Sequence, residues 1–148
     1  MKIELLSLIS MAAICAGCSS NIPESIGLKD GELAKCPDKP NCVSSMAKDR
    51  THFIKPFMYT ADFNKAKAAL IETIKSQNRA IIISESENYI HAEFRSKIFR
   101  FIDDVEFLID DRNKTIHLRS ASRTGYSDMG VNRKRMEGLR VIFQQKMK

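Results

Sequence analysis

The apolar positions of this chain follow two different periods, and the switches between them lay out the fold. Between Ala61 and Gln77, Phe63, Ala66, Leu70 and Ile74 recur every three or four residues, with Lys65, Lys67, Glu72 and Lys75 among them. That spacing predicts an amphipathic helix, and Thr60 or Asp62 is placed to cap its start. From Arg79 the period falls to two. "RAIIISES" is rich in β-branched residues, "YIHAEFRS" alternates apolar and polar positions, and the "EN" between them suits a hairpin turn. "IFRFIDDVEFLID" is a longer third strand whose alternation slips near Ile102 to Asp104, which predicts an irregularity there. "KTIHLRSAS" is the fourth. Helical spacing returns in "SDMGVNRKRMEGLRVIFQQKMK", with Val131, Met136, Leu139, Ile142 and Phe143 on the inner side. Residues 36–57 carry neither period and read as an irregular segment. The expected architecture is one α+β domain over residues 36–148, an antiparallel meander of about four strands with two helices covering one face.

Pairing the third and fourth strands around "DRNK" sets a register. If Ile109 faces Ile116, then Phe107 faces Leu118 toward the helices, and Glu106 lies opposite Arg119 on the other side. The same alternation puts Asp104, Leu108 and His117 with Glu106 and Arg119, and groups Tyr89, His91, Glu93 and Arg95 on one face of the second strand. One sheet face is therefore expected to carry acids, arginines and two histidines. It is either a solvated face with cross-strand ion pairs or the floor of a binding surface. His91 and His117 lack a third close ligand at metal-type spacing, so no metal site is assigned. Asp103 and Asp104 are candidates for a carboxylate pair in acid–base work, as is Glu106; against that, acids at a bulge commonly hydrogen-bond backbone.

Composition changes the picture at the N-terminus. Lys2 precedes the apolar run "LLSLISMAAICAG", and Cys18 follows small residues. Such a run is short for a membrane span and reads as a signal peptide over residues 1–17. "CAGC" resembles a bacterial lipobox, although Cys15 stands where that motif usually has leucine and Glu4 dilutes the basic start. Lipidation of Cys18, with residues 18–35 as a polar tether, is the expectation; cleavage after Gly17 to release a soluble protein is the alternative. Ser19 after the cysteine would favour the outer membrane, by resemblance to bacterial sorting signals. Export implies an oxidising compartment, in which Cys36 and Cys42 of "CPDKPNC" either close a small disulfide loop or stay as thiols.

Charge is uneven. Residues 112–148 hold ten Lys/Arg against Asp128 and Glu137, a net of +8, within a chain whose total is +6. A basic C-terminal third suggests an anionic partner: a small molecule, a glycan or a lipid headgroup. Nucleic acid is not expected for an exported protein, and no cofactor is. Within that third, "RSASRTGYSDMGVNRKR" joins the last strand to the last helix. Gly125 permits a tight turn, Ser127 or Asp128 can cap the helix, and the helix N-terminus attracts anions. Arg119, Arg123 and Arg133 could converge there, with Ser120, Ser122, Tyr126, Asp128 and Asn132 completing a ligand-binding set. The opposing reading is internal satisfaction, with Arg123 and Arg133 pairing to Asp103, Asp104 or Asp128. No "GxSxG" surrounds a serine, so a nucleophile is not assigned.

Three stretches, "CPDKPNCVSS", "HAEFRSKIFRFIDDVEF" and "RSASRTGYSDMGVNRKRMEGLR", resemble the bacterial and plastid family catalogued as domain of unknown function 1499, over roughly residues 33–145. The resemblance implies that Cys36, Pro37, Asn41, Cys42, Ser44, Arg100, Asp103, Asp104, Glu106, Arg119, Ser120, Ser122, Arg123, Gly125, Asp128, Asn132 and Arg133 belong to the family pattern. It brings no activity with it. The functional expectation is a cell-envelope lipoprotein without chemistry of its own, joined to the membrane through Cys18 and binding an anion at the arginine-rich turn. The rivals are an envelope hydrolase using Asp103, Asp104 or Glu106, and a purely structural salt-bridge network.

Overall fold

Apolar faces of unequal period can be buried together only by stacking helices on one side of a sheet, and this is the arrangement observed. The computed structural model describes residues 21–148; the expected signal peptide, with Cys15, and the expected lipidation site Cys18 lie outside the described residues. The elements are β1 (Leu28–Lys29), β2 (Glu32–Leu33), β3 (Cys42–Ser44), β4 (Phe57–Met58), α1 (Phe63–Lys75), β5 (Ala80–Glu85), β6 (Tyr89–Arg95), β7 (Ile102–Asp110), β8 (Thr115–Ser122) and α2 (Val131–Lys146). No helix among the described residues is long and apolar enough to cross a membrane.

The main sheet runs β3-β8-β7-β6-β5, with β4 also paired to β8, and all pairings are antiparallel. The α+β class therefore holds, but the sheet has six strands rather than about four. The two extra strands lie in the segment expected to be irregular. At three and two residues, β3 and β4 are too short to display alternation, and each is a strand only because β8 offers it an edge. The register between β7 and β8 is the one alternation requires: Ile109 opposite Ile116, Phe107 opposite Leu118, Glu106 opposite Arg119.

Ile90, Phe94, Val105, Phe107 and Leu118 meet Ala66, Leu70 and Ile74 of α1 and Met136, Leu139 and Phe143 of α2 in one core. Phe57, brought in by β4, sits fully buried between Phe107 and Phe143, its ring centroid 6.0 Å and 5.5 Å from theirs. Large side chains buried this completely each contribute roughly 1.5–3 kcal/mol.

Three local expectations are corrected. The slip near Ile102 is no bulge: β7 pairs without interruption from Asp103 to Asp110, and the register shift lies in β5 between Ile82 and Ser84. The alternation slips because Asp103, a charged residue, occupies a helix-facing position and is neutralised there. Next, α2 starts at Val131, and Val131 itself is exposed. Finally, much of the stretch expected to be an open tether is folded. β1 and β2 form a hairpin, Leu33 packs against Tyr89 and Leu108, and the Gly27 N–H donates to Glu106 Oε1 at 2.9 Å. In α1 the cap is Asp62, accepting from the Lys65 N–H at 3.0 Å.

Candidate functional site

The sheet end formed by β6, β7 and β8 carries two polar clusters, one on each face, because adjacent strand residues point to opposite sides. On the face away from the helices, Glu93 lies opposite Asp104, and His91 opposite Glu106. Arg123, just beyond β8, turns back over this face. Its Nε donates to Asp104 Oδ2 and its Nη2 to Asp104 Oδ1, both at 2.7 Å, while Nη2 also reaches Glu93. His91 Nε2 completes the set 2.8 Å from Asp104 Oδ1. Burial would push the Asp104 carboxyl upward, but the bonds and charge of Arg123, helped by His91, hold it below the usual carboxylate range. The same pairing with Asp104 raises Arg123 above an already high value. Asp104 is an anion locked between two donors.

One pair further along, Arg119 Nη1 donates to Glu106 Oε2 at 2.9 Å, with both side chains almost completely buried. Glu106 Oε1 accepts from the Tyr89 hydroxyl at 2.7 Å and from Gly27. Burial and the Glu106 anion push the Tyr89 phenol well up, so it remains a proton donor.

The helix-facing cluster is built on Asn132, fully buried in the first turn of α2. Its amide oxygen accepts from Ser120 and from Arg135 Nη1, and its NH₂ faces the Asn41 carbonyl at 3.1 Å, Ser122 Oγ at 3.0 Å and Asp128 Oδ2 at 2.8 Å. Asp128 also accepts the Asn132 backbone N–H at 2.7 Å, but the N-cap residue is Gly130, so neither Ser127 nor Asp128 takes the expected capping position. Arg135 pairs with Asp103 and lies over the Phe94 ring, 5.1 Å from its centroid.

The expected ligand set is thus divided. Arg119 and Arg123 lie on one face, Ser120, Ser122 and Asn132 on the other, and Asp128 at the start of α2. Arg133 is directed to the Phe53 and Thr51 carbonyls, both at 2.8 Å, and Tyr126 is exposed. The three arginines do not converge on the helix N-terminus. Asp103 and Asp104 point to opposite faces, so they form no carboxylate pair, and Asp104 and Glu106 are each engaged by an arginine. His117 lies beside Ser45, not with His91, and no group of three potential metal ligands occurs among the described residues. Cys36 and Cys42 are joined in a disulfide.

A small cleft of about 230 Å³ lies between this face and the N-terminal segment, lined by Pro23, Ser25, Ile26, Pro37, Lys39, Asn41, Asp104, Arg119, Ala121, Ser122, Arg123 and Gly125; larger hollows lie by His117 and by His52. Asn41 enters through its NH₂, which donates to the Gly125 carbonyl at 2.9 Å; Gly125 adopts a positive φ of 84° that a β-carbon would strain. Two buried polar atoms have no partner among the described residues, Asn41 Oδ1 and Arg119 Nε, and both side chains line this cleft.

A family model described as a protein of unknown function, DUF1499, matches residues 32–143. The chain belongs to this family. No curated protein matches it. The match spans both clusters and the cysteine loop of the DUF1499 domain and stops short of the N-terminal residues 23–26 that form one wall of the cleft. Two participants were missed by sequence reasoning alone. Arg135 was legible only as the residue one helical turn after Asn132. Asn41 entered only through the family resemblance, with no role assigned to it.

Proposed function

We propose that this DUF1499 protein is a non-catalytic binding or accessory module of the bacterial cell envelope, attached to the membrane through Cys18. In this reading it takes a small, anion-bearing molecule into the cleft between the N-terminal segment and the polar sheet face. The observation that carries the reading is a pair of unmatched buried atoms, Arg119 Nε and Asn41 Oδ1, in two side chains that line one cavity. A buried donor left without a partner costs about 1–3 kcal/mol, and a ligand oxygen at Arg119 would remove that cost. Within the lining, Arg119 is paired with Glu106 and Arg123 with Asp104 and Glu93, so Lys39 is the cation outside those pairs, and its charge favours an anion. The hydrolase reading loses support, since its carboxylates are separated by the sheet or held in ion pairs. The structural reading gains support for Arg123 and Arg135, whose guanidinium groups neutralise acids of the neighbouring strands.

Thermal unfolding against inorganic phosphate, sulfate and carboxylated or phosphorylated sugars tests the proposal, with Arg119→Lys in parallel. Lysine keeps a charge for Glu106 and lacks the Nε donor. Free ligand at about 100 times its Kd stabilises by roughly 2.7 kcal/mol. The expected result is a shift in wild type that disappears in a folded Arg119→Lys variant. No shift across the panel, or an equal shift in the variant, would sink the proposal.

A further inference from the structure

The turn between β6 and β7 has the opposite character to the clusters behind it. Residues 96–101, "SKIFRF", leave their large apolar side chains in solvent: Ile98 is 78% exposed, Phe99 68% and Phe101 46%. These side chains are held outward. The Ser96 N–H donates to the Phe101 carbonyl and the Phe101 N–H to Ser96 Oγ, both at 2.9 Å, closing the loop on itself. The Phe99 and Phe101 rings stack with centroids 5.5 Å apart, and Arg100 between them takes a left-handed φ of 53°. Around them the exposed charge is positive, although the Arg95 guanidinium also meets Glu93 at 3.4 Å. Arg95, Lys97 and Arg100 are exposed, and no acid occurs between Glu93 and Asp103.

The neighbouring loop adds to the same end of the sheet. The Arg123 N–H bonds the Ile102 carbonyl at 3.0 Å, and beyond it Tyr126 and Met129 are exposed. The N-terminal segment reaches this end as well, since Pro23 and Ser25 share a cavity wall with Arg123 and Gly125.

We propose that the 96–101 loop is a membrane-docking tip that inserts Ile98, Phe99 and Phe101 into an anionic lipid surface while Arg95, Lys97 and Arg100 meet the headgroups. Aromatic and aliphatic tips ringed by cations partition into the headgroup–acyl boundary by apolar burial plus attraction to anionic lipid. A core cannot explain the residues, because they touch none, and the all-cationic rim selects an anionic surface over a neutral one. The geometry also suits the attachment expected at Cys18. The five chain steps from Cys18 to Pro23 span at most roughly 18 Å, so a lipid there would hold this end of the sheet against the bilayer. The tip stands independently of the ligand cleft, and the test reads the loop itself whether or not Cys18 carries lipid.

The chain contains no tryptophan, so Phe99→Trp gives a single reporter in the full chain, with Ile98→Trp as a second should the first fold poorly. Emission is followed on adding vesicles of phosphatidylglycerol and phosphatidylcholine, vesicles of phosphatidylcholine alone, and vesicles with brominated acyl chains. The expected result is a blue shift with anionic vesicles, quenching by brominated lipid, and a partition coefficient lowered about fivefold by Lys97→Ala. Unchanged emission with anionic vesicles overturns the proposal. So does an equal shift on neutral vesicles with no effect of Lys97→Ala, and so does a vesicle-free blue shift that grows with protein concentration, which would assign the patch to a second copy of the chain.

Discussion

The two faces of the β6–β7–β8 sheet end carry the same kinds of residue and resolve them differently. On the helix side, Asp103, Arg135, Ser120 and Asn132 form a closed set in which each side chain finds a partner, sealed beneath α2. On the other side, Asp104, Glu93, Arg123, Glu106 and Arg119 are buried just as deeply, yet Arg119 Nε and Asn41 Oδ1 stay unmatched beside a cavity. A helix delivers its side chains at fixed spacing and can complete a network. The N-terminal segment brings few side chains and offers mainly backbone, such as the Gly27 N–H. Satisfied polar clusters specify packing, and the incompletely satisfied one is where the proposed ligand would sit.

The comparison breaks most sharply at Asp104. Asp104→Asn leaves Arg123 paired with Glu93 and removes the anion facing His91; we expect a loss of about 3–5 kcal/mol, read from urea unfolding. On the helix side, Asn132→Leu strands Ser120, Arg135 and the first turn of α2, for a loss of about 2–3 kcal/mol. A larger loss at Asn132 than at Asp104 would mean the helix-side set carries more of the fold. The pair Asp103→Leu with Arg135→Met should cost less than either change alone, since an apolar pair of similar volume can replace a buried ion pair; a double-mutant cycle gives the sign. Opening the Cys36–Cys42 loop by Cys36→Ser should cost about 2 kcal/mol from loop-closure entropy, and it should weaken the open face more than the helix side because Asn41 sits in that loop.

Two pH effects of opposite sign sharpen the contrast further. Asp104, with its folded pKa depressed, contributes stability that is present above the unfolded carboxylate value and lost as pH falls through the folded one. The acid limb of the stability profile should flatten in Asp104→Asn. His52 behaves in reverse. Burial alone would lower it, but Asp49 at 2.9 Å on Nδ1 and the Lys39 carbonyl at 3.0 Å on Nε2 both accept from it and raise it above 6.5. Its contribution is full below the unfolded value and disappears as pH rises through the folded one, so His52→Gln should remove a loss of stability on the alkaline side of 6.5.

Hydrophobic period was enough to locate both helices, the four long strands and the β7–β8 register, since alternation permits one pairing that buries Phe107 and Leu118 together. It also placed Arg119 opposite Glu106. Period failed where elements are too short to show one, as in β3, β4 and the β1–β2 hairpin, and it misread Asp103 as an irregularity because its neutralising partner, Arg135, is 32 residues away. The concentration of charge in the C-terminal third suggested an external anion. Much of it is complementarity within the fold, as Arg119, Arg123 and Arg135 meet acids of β6 and β7. Local pattern by itself determined the elements, their inward faces and which residues are polar at the sheet end. Only the tertiary structure decided which charges meet, which atoms stay unmatched and where a cavity remains, because those depend on side chains that strands and helices bring together from distant parts of the chain.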